Sequence, residues 1–80
     1  MIFYAISGWD LAKKLCREYP YVWENQRGSH IKLRHTGGQF VIIPNHGELK
    51  NGTFDTILSD VALQESSDKK AVYEKLFLKN

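Results

Sequence analysis

Residues 21–44 read YVWENQRGSHIKLRHTGGQFVIIP, and this stretch decides the fold. Three runs within it, 21–26, 30–35 and 40–43, have strand length and are rich in β-branched and aromatic residues. Arg27-Gly28-Ser29 separates the first two runs and Thr36-Gly37-Gly38-Gln39 the last two, both short glycine-containing links of hairpin length. Pro44 closes the third run, and Asn45-His46-Gly47-Glu48 reads as a loop. A three-stranded antiparallel meander is the simplest assembly.

Helical periodicity flanks the meander on both sides. Ser7 and Asp10 form an S-x-x-D capping box, with Ile6 and Leu11 at the staple positions around it. Leu11, Ala12, Leu15 and Cys16 then make one apolar stripe, with Lys13, Lys14 and Arg17 off it. This predicts a helix of about ten residues that stops by Tyr19, because Pro20 disfavours helical backbone in the residue before it. Downstream, Phe54, Ile57, Leu58 and Val61 repeat at helical spacing, with Asn51 or Thr53 as candidate N-caps. A break falls at 64–67, and Ser67 is the expected cap of a last helix over about 67–78, with Val72, Tyr73, Leu76 and Phe77 as its apolar positions. The predicted class is α+β in the order α-β-β-β-α, with a short C-terminal helix added. Helices cover one sheet face and the other stays open.

Composition bounds what such a fold can do. The chain has 80 residues, 42% of them hydrophobic, which fits one small globular domain over 1–80 and not a disordered tail. A chain of this size has a thin core and no room for a deep substrate cavity, so its chemistry belongs on a surface. Eleven basic residues against nine acidic give a net charge of +2, which alone does not identify a nucleic-acid binder. The one cysteine, Cys16, excludes an internal disulfide framework and a CxxC zinc site. The apolar opening 1–6 is too short for a signal peptide and has no basic flank, and no stretch reaches membrane-span length. A cytoplasmic protein without membrane, metal or cofactor is expected.

The middle strand carries the most informative pattern. Alternation places Ile31 and Leu33 on the core side and His30, Lys32 and Arg34 on the open side. An ordinary solvated strand face shows the same alternation. Histidine nonetheless shuttles protons near neutrality, and lysine and arginine stabilise a developing phosphorane. RNA supplies its own 2′-hydroxyl nucleophile, so a base, a cation and a proton donor suffice to cleave it.

Several short segments occur in order: Ser7-Gly8, Gly28-Ser29-His30 with Lys32 and Arg34, Pro44 with His46, Leu49 with Gly52-Thr53, and Ile57-Leu58. Taken together the set resembles the HicA (YcfA-like) toxins of toxin–antitoxin pairs, over about residues 6–63. The resemblance implies a double-stranded-RNA-binding-domain-like fold, an mRNA-cleaving activity that stops translation, and a HicB-like antitoxin as partner. It also implies that His30 is the catalytic residue. One departure is Ile31, which follows His30 where many relatives carry a second histidine. On this reading Lys32 and Arg34 hold the scissile phosphate, while Arg27, Gly28 and Ser29 shape the turn and contact the adjacent one. Two other classes use the same residues differently: a non-catalytic RNA-binding module, and a protein-interaction domain whose basic face is incidental.

The remaining candidates read as structural. His35 shares parity with Ile31 and Leu33 and is a strand-end packing residue; His46 packs against the second helix or meets substrate. Trp9 is a packing or interface residue with a base-stacking alternative, Trp23 and Tyr21 face the helices, and Cys16 is a small core residue. Gly37-Gly38 is a hairpin turn without a P-loop lysine, and Lys69-Lys70 is a solvated helix start. Only Lys50 offers a cation before the second helix, which argues against a strong duplex grip there.

Overall fold

A computed structural model describes residues 5–78, so most of the opening segment 1–6 and the last two positions of the expected 1–80 domain lie outside the described residues. The elements are α1 (Gly8–Glu18), β1 (Tyr21–Arg27), β2 (His30–His35), β3 (Phe40–Pro44), α2 (Asn51–Gln64) and α3 (Lys69–Tyr73). A π-helical turn, Glu74–Leu78, continues α3. The three strands form one antiparallel sheet in the order β1-β2-β3. The fold is the expected α-β-β-β-α arrangement.

Ser7 caps α1 by accepting the Asp10 N–H at 3.0 Å, and the helix ends at Tyr19, whose N–H reaches the Leu15 carbonyl. Of the apolar stripe, Leu11, Ala12 and Leu15 are fully buried against Ile31, Leu33, Val41 and Ile43 of the sheet and Phe54, Ile57, Leu58 and Val61 of α2. Cys16, expected in the core, is only partly buried at its edge. Val72 and Leu76 complete the same core, so the C-terminal segment packs inward; Phe77 lies 5.8 Å from the Phe54 ring. Each such aliphatic side chain stabilises the fold by roughly 1.5–3 kcal/mol on burial.

Three details differ from the sequence expectation. The α2 N-cap is Lys50, which makes no side-chain cap, so neither Asn51 nor Thr53 has that role. The last helix starts one residue later than expected, with Asp68 as its cap accepting the Ala71 N–H. The 64–67 break is a Schellman-type end: Ser67 N–H reaches the Ala62 carbonyl and Ser66 N–H that of Leu63, with Ser66 at a positive φ of 53°.

The N-terminus of α1 meets the β3–α2 loop backbone to backbone. Gly8 N–H donates to the His46 carbonyl at 2.9 Å, and Leu49 N–H donates to that of Ile6 at 2.8 Å. A Cβ on Gly8 would fall on the Pro44 carbonyl oxygen, so only glycine admits this approach.

Gly8→Ala is therefore expected to lower stability by about 3 kcal/mol or more, as overpacking against backbone. Ser66→Gly relieves left-handed backbone and is expected to raise it by about 0.5–1 kcal/mol. Urea unfolding of the two variants beside the parent checks both signs.

Candidate functional site

The open sheet face is a small lattice set by strand register. Arg27 pairs with His30 and His30 with Pro44; Asn25 pairs with Lys32 and Lys32 with Ile42; Val22 pairs with Arg34 and Arg34 with Phe40. Ile31 and Leu33 have no exposed surface, while His30 is exposed and Lys32 and Arg34 are partly so. The expected alternation of β2 therefore holds, and residues two apart on it stand about 7 Å apart.

β1 departs from strict alternation, and the departure shapes the site. Register shifts between Trp23 and Asn25, leaving Glu24 as an extra residue without its own partner. Tyr21 is buried and Trp23 packs on the core, as expected; unbroken alternation would then turn Asn25 and Arg27 toward the helices. The bulge reverses that parity and brings both beside His30. Arg27, expected in the turn, is instead the last residue of β1, directly across from His30. Only Gly28 and Ser29 form the link, and Gly28 takes a φ of +55°, the glycine-first arrangement of a two-residue hairpin.

Asn25, Arg27, His30 and Lys32 line a shallow groove of about 220 Å³ with Ile42 at its side. A second groove runs from His30 past Ile42 and Pro44 to Gly52, Thr53, Thr56 and Asp60 of α2. The Ser29 carbonyl accepts the Asn45 N–H at 2.6 Å, which fixes the hairpin end against the loop that also receives α1. The backbone thus gathers Ser7-Gly8, Gly28-Ser29-His30 and the 44–46 loop at one end of the sheet. No hydrogen bond or ion pair involving the side chain of His30, Arg27 or Asn25 is found among the described residues. His46 is exposed, and its backbone carbonyl, not its ring, does the packing.

Glu24 was not legible as a site residue. Its carboxylate accepts Arg34 Nε–H at 2.7 Å and Arg34 Nη2–H at 3.2 Å, and lies 3.7 Å from Lys32 Nζ. Arg34 also donates to the Gly38 carbonyl at 2.8 Å. Hydrogen bonding to Arg34 holds the Glu24 carboxyl below its ordinary range, and the same bond pushes the Arg34 guanidinium up. Arg34 is thus occupied at the far end of the face, whereas Arg27 and Lys32 flank His30.

The other titratable candidates are engaged elsewhere. Gly37 N–H donates to His35 Nδ1 at 2.9 Å, so the ring proton sits on Nε2, which reaches Glu65 Oε2 at 2.5 Å. Tyr21 donates to Gln64 at 2.6 Å, and burial, then the Glu65 charge, pushes its hydroxyl pKa up. Burial also pushes the Cys16 thiol up, which keeps it protonated. Trp9 lies edge-on to Trp23, with centroids 4.9 Å apart. Among the described residues no three His, Cys, Asp or Glu side chains converge as a metal site, and no helix is long and apolar enough to cross a membrane.

A family model described as the HicA toxin of bacterial toxin–antitoxin matches residues 9–63, more than half of the chain. The chain belongs to the HicA toxin family. As a HicA family member it is the toxin of a toxin–antitoxin pair, and an antitoxin is its partner. No curated protein and no solved structure matches it.

Glu24→Gln is expected to free both cations and delay elution from immobilised heparin to higher salt. Glu74→Gln, on the C-terminal turn, makes the same charge change and should shift elution less. The Glu24 pKa is depressed in the fold, so this clamp contributes above the ordinary glutamate range and is lost as pH falls through the lowered value. An NMR titration of the Arg34 Nε–H resonance should follow that loss.

Proposed function

We propose that this protein is a metal-independent endoribonuclease that cuts messenger RNA and so stops translation. The observation that carries this reading is the exposed His30 imidazole, without a hydrogen-bond partner among the described residues, set between Arg27 and Lys32 in one groove. His30 acts as general base on a ribose 2′-hydroxyl. The 2′-oxygen attacks the adjacent phosphorus and the bond to the 5′-oxygen breaks, giving a 2′,3′-cyclic phosphate and a 5′-hydroxyl. The leaving oxygen takes its proton from solvent, which reaches this open face freely.

Arg27 and Lys32 neutralise the charge that grows on the phosphorus oxygens, and the Gly28-Ser29 backbone brings the turn close to the phosphate. The first turn of α2, lined up with His30 along the second groove, has no side-chain cap and no acidic residue, so its N–H groups favour an anion there. Arg34 serves a neighbouring phosphate by exchanging its Glu24 partner for the RNA. The antitoxin is of the HicB type and covers this basic face in the cytoplasm, so its binding should weaken with salt and with Lys32→Glu.

The test incubates purified wild-type protein and His30→Ala with mixed messenger RNA in EDTA. Wild type should cleave, and His30→Ala should lose about 100-fold or more of the rate, the usual share of a general base, with an unchanged circular-dichroism spectrum. Arg27→Ala and Lys32→Ala should each cost about tenfold in RNA affinity and lower its salt dependence. Equal cleavage by wild type and His30→Ala would remove His30 from the mechanism; RNA binding without any product would leave a binding module.

A further inference from the structure

The open face is divided into columns of different chemistry. His30, Lys32 and Arg34 run down β2, while their cross-strand partners on β3 are Pro44, Ile42 and Phe40. Ile42 and Phe40 are 41% and 47% exposed, large apolar groups left beside a row of cations. Lys32 Nζ lies 4.4 Å from the Phe40 ring centroid and Arg34 Cζ 5.2 Å from it. Both cations thus lie over the ring in cation–π contact. On an open antiparallel sheet such a ring is a surface on which a base stacks once the cations turn to the phosphates alongside it.

We infer that Phe40 is a nucleobase-stacking subsite, and that the substrate is single-stranded RNA laid along β2 with its phosphates over His30, Lys32 and Arg34 and its bases over β3. This rests on the ribonuclease reading and specifies the form of its substrate. Strand geometry puts Phe40 about 14 Å along the sheet from His30, so the stacked base is not the one at the cut but lies a short way along the strand. Bases in a duplex are stacked on one another and offer Phe40 only their edges, so the subsite selects against duplex RNA. Charge decides between RNA and an apolar protein segment as occupant. Four basic side chains, Arg27, His30, Lys32 and Arg34, share the face with the carboxylate of Glu24, and a polyanion displaces that carboxylate where a neutral segment does not.

The experiment uses His30→Ala protein, which binds without cutting, and short RNAs with 2-aminopurine placed at successive positions. Fluorescence quenching should peak at one position and vanish when that RNA is annealed to its complement. Adding Phe40→Leu should abolish the quenching and weaken single-strand binding about tenfold, with the salt slope unchanged because no phosphate contact is lost. Phe40→Tyr should restore both. A parallel drop in affinity and salt slope in Phe40→Leu would reduce Phe40 to a support for Lys32 and Arg34 and overturn the subsite. Unchanged RNA binding in Phe40→Leu, or equal binding of duplex, would overturn it too while leaving the ribonuclease reading intact, even if antitoxin binding fell. Absence of all RNA binding, with no cleavage by wild type, would overturn both.

Discussion

Burial of Ile31 and Leu33 beneath the helices sets the register of the central strand, and the site takes its positions from that register. Both side chains are completely covered, while their neighbours Lys32 and Arg34 keep contact with solvent. A slip by one residue would put two cations into an apolar core and two aliphatics into water, so the sheet has one acceptable register. The column of cations with His30 at its end is therefore the reverse side of the core.

The second constraint is local. One extra residue in β1, Glu24, shifts the strand so that Asn25 and Arg27 join the face they would otherwise leave. The same residue supplies the carboxylate that clamps Arg34 and approaches Lys32. A single bulge thus adds a cation next to His30 and masks another further away. The polarity of the face is graded along its length as a result, most available at the hairpin end and most neutralised at the other.

Two histidines at opposite ends of β2 show how satisfaction of polar groups sorts chemistry. His35 has both ring nitrogens engaged, by Gly37 N–H and by Glu65, and ties the strand end to the end of α2. His30 has its backbone fixed by pairing to Arg27 and Pro44, yet its exposed ring has no partner among the described residues. Rigid backbone with an unsatisfied side chain is what a surface site on so thin a core requires. The rigidity at that end comes from backbone bonds joining residues 6–8, 29 and 45–49, which also explains why those distant segments belong to one pattern.

Much of the fold was legible in the sequence because it follows from short-range periodicity. The spacing of Leu11, Ala12 and Leu15, the alternation of His30 to Arg34, and the repeat of Phe54, Ile57, Leu58 and Val61 each place an element and its buried face. The Ser7 cap and the stop before Pro20 are equally local. His30, Lys32 and Arg34 could be assigned to the open face for the same reason. Other features depend on residues far apart in the chain. No local signal in Glu24-Asn25-Gln26 reveals a bulge, since the polar run 24–27 lacks the apolar residues that would report its parity. Nor does the chain order say that Glu24 meets Arg34, that Gly8 must touch Pro44, or that Phe40 stands beside Lys32. Those are cross-strand and loop-to-helix approaches, created only when packing closes the sheet. The sequence by itself determined which residues face outward along α1, β2 and α2, and the tertiary structure decided the parity of 24–27 and which outward residues meet.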